Sequence, residues 1–107
     1  MNPLPPLAYG YLRLDLLDAS AIESHRRRLS TAARELGCEL GTVFLEPHPR
    51  DETVPSAFLD LLHECRRAQA RTVITLCGHL TGLPVPHDCL LGVLADRAAA
   101  TVCEVNP

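Results

Sequence analysis

Residues 72 to 77, Thr-Val-Ile-Thr-Leu-Cys, form a short, largely apolar run with no polar/apolar alternation. A strand with one solvated face alternates; a run without alternation is buried on both faces, as at the middle of a parallel sheet. Parallel neighbours need long crossovers, usually helical, and the rest of the chain supplies them. Ala8 to Leu14 reads as a first strand, buried through Tyr9, Tyr11, Leu12 and Leu14. Leu40 to Leu45 reads as a second and Ala100 to Val105 as a fourth. Between them lie three segments of helical period. The first, 18 to 36, carries Ile22, Leu29, Ala33 and Leu36. Ser20-Ala21-Ile22-Glu23 fits a capping box at its start, and Gly37 fits a stop at its end. The second, 55 to 69, has Pro55 in its first turn and Phe58, Leu61, Leu62 and Cys65 inward. The third, 87 to 98, turns Leu90, Leu91 and Leu94 inward. The order βαβαβαβ predicts an α/β fold of three layers: a four-stranded, mainly parallel sheet with helices on both faces. Its crossovers are expected to be right-handed.

At 107 residues, 47% of them apolar, the chain has material for one core and no second domain. The expected organisation is a proline-rich flexible arm over 1–7 and a single domain over 8–107. The ten basic residues are all arginine, a bias expected of a GC-rich bacterial genome. Net charge is −3, so no global attraction to nucleic acid is expected. No apolar run approaches about 18 residues, so no membrane span is expected. The start, Met-Asn-Pro-Leu-Pro-Pro, shows no secretion signal. Cys38, Cys65, Cys77, Cys89 and Cys103 form no C-x-x-C pair and are odd in number. They read as buried free thiols of a cytoplasmic protein.

Ligands of open parallel sheets bind beyond the carboxyl ends of the strands, where strand order reverses. In this chain those ends hold residues 13–18, 46–54 and 78–86. Arg13 and Asp15 can share a face there, either lining a pocket with Asp15 as a base or pairing with each other to fix the loop. The loop 79–86, His-Leu-Thr-Gly-Leu-Pro-Val-Pro, is mostly apolar and carries no Asp, Glu or Arg. With Leu16 and Leu17 nearby, Leu80, Leu83 and Val85 read in two ways: an exposed rim that contacts a protein, or a plug folded into the crevice. The run His25-Arg26-Arg27-Arg28 reads as phosphate contacts or as a solvated helix face. Cys77, His79 and His87 match no standard zinc spacing, and no metal or cofactor is expected.

Several of these passages fall together in a familiar order. Tyr11-Leu12-Arg13-Leu14-Asp15 is similar to the Tyr-x-Arg-x-Ser opening of the serine recombinase (resolvase/invertase) catalytic domain. Gly37 followed by Val43-Phe44, Pro55-Ser56-Ala57-Phe58 with Leu61-Leu62, and Val73-Ile74-Thr75-Leu76 also fit that family's pattern. The chain thus resembles a degenerate member, from Ala8 to about Val105. The resemblance implies a serine nucleophile at position 15, where this chain has Asp15. It implies Leu-Asp-Arg-Leu-x-Arg after the third strand, where this chain has Gly78 for the aspartate, His79 for the first arginine and Gly82 for the second. A phosphate-binding arginine is implied near Val54. A long helix after the fourth strand and a helix-turn-helix domain are implied as well, and neither follows in this sequence.

Tyr11, Arg13, Asp15, Gly78, His79 and Gly82 are therefore vestigial active-site positions, and no catalytic residue is assigned. The expected function is that of a catalytically inactive, recombinase-like protein-interaction or regulatory module. A protein partner or self-association is expected, and specific DNA binding is not. The alternative is a small-molecule or nucleotide binder that reuses the strand-end crevice, with Arg13 on an anion.

Overall fold

The computed structural model describes residues 4–47 and 54–107. Strand β1 (Leu7–Arg13) leads through two short 3-10 turns, Leu14–Leu16 and Ala19–Ala21, into helix α1 (Ile22–Glu35). Then follow β2 (Glu39–Glu46), α2 (Ser56–Ala68), β3 (Thr72–Leu76), α3 (His87–Ala98) and β4 (Thr101–Val105). The four strands form one sheet in the order β2-β1-β3-β4, and every pairing is parallel. β3 is central, as its unbroken apolar run predicts. Strand order reverses at β1: the chain first steps outward to β2, then crosses back over β1 to β3. Crossovers of one hand that step in opposite directions place their helices on opposite faces. α1 accordingly packs with Leu29, Ala32 and Ala33 against Ala8, Leu12, Val43, Ile74 and Leu76. On the other face Phe58, Leu61, Leu62 and Cys65 of α2 and Leu90 and Leu94 of α3 meet Tyr9, Tyr11 and Val73. Gly10 permits the α1 contact, because a Cβ there would lie 3.0 Å from a Val43 methyl and 3.1 Å from a Leu29 methyl.

Three expectations are corrected. The arm 1–7 is not free at its inner end: Leu7 belongs to β1 and the Pro6 carbonyl accepts the Glu39 amide at 2.9 Å. Residues 1–3 lie outside the described residues. The capping box at Ser20 does not form; a 3-10 turn occupies Ala19–Ala21, and Ala21 caps α1 with no side-chain hydrogen bond. The thiols are all free, yet only Cys38 and Cys65 are buried, while Cys77 and Cys89 are exposed. Burial pushes the Cys65 thiol up to about 11, which makes it unreactive.

The expected loop from Glu46 proves to begin with a structural residue. α2 has Pro55 at its N-cap and no cap from its own segment. The buried carboxylate of Glu46, at the end of β2, takes that role. It accepts from the Ala57 amide at 3.0 and 3.2 Å, the Phe58 amide at 3.3 Å and the Ser56 hydroxyl at 3.3 Å. The Tyr11 hydroxyl donates to it from β1 at 3.0 Å. Tyr11 also meets Phe58 edge-to-face, with ring centroids 5.9 Å apart. Burial and the adjacent Glu46 charge push the Tyr11 phenol far above its usual range, so it stays a donor at any ordinary pH. Replacement Glu46→Ala orphans a buried hydroxyl and two helix-terminal amides. It is expected to destabilise the domain by roughly 2–4 kcal/mol, with Glu46→Gln losing less because its carbonyl still accepts. Urea unfolding monitored by circular dichroism measures both.

Candidate functional site

The C-terminal ends of β1 and β3 meet where strand order reverses, and there the structure brings Arg13, Asp15 and His79 together. Arg13 is 7% exposed although charged. Its Nε donates to Asp15 Oδ1 at 3.1 Å and its Nη2 to Oδ2 at 2.8 Å, a two-pronged pair of the geometry that makes arginine–carboxylate contacts strong. Its Nη1 donates to the Thr81 carbonyl at 2.8 Å. The 3-10 turn at Leu14–Leu16 curls the chain so that Asp15 comes back onto Arg13. Of the two readings open for this pair, the structure has the pairing one.

His79 supports the same closure. It is buried, and its Nδ1 accepts the Arg13 backbone amide at 2.9 Å, which requires the ring proton on Nε2. The neighbouring Thr75 hydroxyl donates to the Tyr11 carbonyl at 2.6 Å. Gly78 and Gly82 have φ of +90° and +73°, where a side chain of L configuration is strained. The loop backbone at these two positions is therefore shaped for glycine rather than for a residue with a side chain.

The apolar loop is a plug. Leu80 is 1% exposed and belongs to the core beneath α2 and α3; Leu83 and Val85 are partly buried against it. Leu17 packs on the α1 side, which leaves Leu16, at 50% exposure, as the open member of the expected rim. In the basic run Arg28 donates to the Asn106 carbonyl at 3.1 Å, Arg26 sits 3.8 Å from Glu23, and Arg27 faces solvent. His87 is tied to Asp88 and Glu104 by contacts of 3.1–3.2 Å. Among the described residues no group of three or more His, Cys, Asp or Glu is arranged to hold a metal ion. His48 and the stretch 48–53 lie outside the described residues. No helix among the described residues is long and apolar enough to cross a membrane.

The fold matches a solved structure. The chain is similar to the C-terminal catalytic domain of ISC1926 TnpA, an IS607-like serine recombinase, with a TM-score of 0.68 and 16% sequence identity. The match covers 94% of this chain and 69% of that one. The fold is that of a serine-recombinase catalytic domain. No protein-family model and no curated protein matches the sequence. In this recombinase-like fold Tyr11, Arg13 and Asp15 take places at the end of β1, and Gly78, His79 and Gly82 in the loop after β3. Sequence reasoning missed Glu46 as a partner of this region. A helix that opens on Pro55-Ser56 and lacks a capping side chain was the signal for an acceptor from elsewhere.

Two measurements follow from this geometry. Burial and the Arg13 charge lower the His79 pKa below its ordinary 6.5. The unfolded chain thus binds that proton more readily. The stability His79 contributes is complete above about pH 6.5 and is lost as pH falls towards the depressed folded value. His79→Asn, which offers an uncharged acceptor, is expected to flatten the stability profile between pH 7 and pH 5 in urea titrations. Leu80→Ala is expected to destabilise by roughly 2–5 kcal/mol, as for a core leucine, rather than to alter association with the fold intact. Thermal unfolding with sedimentation at matched concentration distinguishes the two.

Proposed function

We propose that this chain is a degenerate serine-recombinase-like domain that performs no strand cleavage and acts as a protein-interaction or regulatory module in the cytoplasm. The observation that carries the reading is the closed fork between Arg13 and Asp15. Transfer of a phosphodiester needs a nucleophile and free cations around the phosphate. Here the position of the nucleophile holds a carboxylate, which repels a phosphate and occupies both prongs of the arginine beside it. A further N–H of Arg13 is used by the Thr81 carbonyl, His79 is buried as a neutral acceptor, and Gly78 and Gly82 carry no cation. The plug formed by Leu80 fills the same end of the sheet, which weighs against a ligand on Arg13 and for a role exerted by the outer surface. The partner is a protein, either a second copy or a different chain.

The test uses supercoiled and linear duplex DNA with the native chain and with Asp15→Ser. Neither protein is expected to nick DNA or to form a covalent adduct on a denaturing gel, since the serine alone restores one of several missing groups. An adduct from either protein overturns the reading. Retardation of duplex DNA is expected to be absent at about 150 mM salt, because the chain is acidic.

A further inference from the structure

At the opposite end of the sheet from Arg13, α2 and α3 both terminate beside an open cleft of about 300 Å³. Three arginines from three different segments line it: Arg66 in the last turn of α2, Arg71 in the turn before β3, and Arg97 in the last turn of α3. We propose that this cleft binds a phosphoryl anion, either a pyrophosphate or phosphate-ester group of a small molecule or the phosphates of a nucleic-acid strand.

Basic residues near helix C-termini ordinarily satisfy the last carbonyls or offset the helix dipole. In this chain the backbone makes some of those hydrogen bonds. Gln69 and Ala99 adopt the left-handed conformation that ends a helix, with φ of 55° and 51°. The Gln69 and Ala70 amides close on the Cys65 carbonyl; the Ala99 amide closes on the Ala95 carbonyl and the Ala100 amide on the Leu94 carbonyl. Among the described residues no hydrogen bond and no ion pair within 4 Å engages the side chains of Arg66, Arg71 or Arg97. Arg13, Arg26, Arg28 and Arg67 each have a partner, whereas the exposed Arg27 and Arg34 have none among the described residues either.

The cleft is also held in shape. The Arg71 carbonyl accepts both the amide and the hydroxyl of Thr101, at 2.9 and 3.4 Å, which fixes the turn that carries its side chain. Asp96 is the acidic residue on the lining, so three cations face one anion in a chain whose net charge is −3. The two helix dipoles, about half a charge each at their C-termini, reduce that excess to roughly one positive charge. A single carboxylate is served by one arginine fork. Arginines from three segments on one lining suit a group with several peripheral oxygens and more than one negative charge. This site is separate from the strand-end crevice and does not depend on whether the crevice is catalytic.

Isothermal titration of the intact chain with sodium pyrophosphate at low ionic strength tests the proposal, with Arg66→Gln/Arg97→Gln as the altered protein and Arg27→Gln as a control for loss of an exposed arginine. The expected result is saturable binding that the double variant weakens about tenfold or more and the control leaves unchanged. A parallel titration with a single-stranded oligonucleotide separates the sources. Loss of both ligands in the double variant assigns the site to phosphates in general, and loss of pyrophosphate alone assigns it to a small molecule. Absence of binding by either probe, or equal binding by native and double-variant chains of the same thermal midpoint, overturns the proposal.

Discussion

A buried carboxylate holds the two halves of this fold in register. Removing an anion such as that of Glu46 from water is costly by several kcal/mol unless its oxygens are well supplied with donors. Tyr11 from β1, Ser56 and the first amides of α2 supply them, and the positive end of the α2 dipole adds to the effect. The consequence is directional. α2 must begin where β2 ends, and its first turn must lie over β1, which fixes the return path that reverses strand order. The crevice between β1 and β3 follows from that reversal, and so does the position of everything in it.

At that crevice an ion pair and a buried hydrogen bond hold the end of β1. Arg13 is neutralised from two residues away along its own chain, and its backbone amide is held by His79. The loop that follows β3 then turns inward through Leu80. Its two left-handed glycines let it fold tightly where longer side chains would be strained. Closure thus comes from three local choices that agree: a carboxylate at 15, a neutral ring at 79 and an apolar anchor at 80.

Much of the architecture was readable from the residues. The unbroken run at 72–77 gave a central parallel strand, and the periodicity around Phe58, Leu61, Leu62 and Cys65 gave the inward face of α2. The start of α1 was misread, because Ser20 and Glu23 satisfy the pattern of a capping box while the chain spends Ala19–Ala21 in a 3-10 turn. Local hydrogen-bonding patterns compete, and the approach from β1 decides between them. Cys77 and Cys89 were misread for a related reason: composition says that thiols are usually buried, but not which side of an element a given thiol occupies.

What the sequence determined by itself was the fold class, since hydrophobic period and strand length are properties of a segment and need no partner to be read. It also determined which groups the crevice could contain. The state of those groups was decided only by tertiary structure. Whether Arg13 is free or paired, whether Leu80 is a contact or a plug, and whether Glu46 is loop or cap each depend on atoms 2 to 68 residues away. Only folding makes them neighbours. The same holds for Arg66, Arg71 and Arg97, scattered along the chain and gathered at one cleft because two helices end side by side.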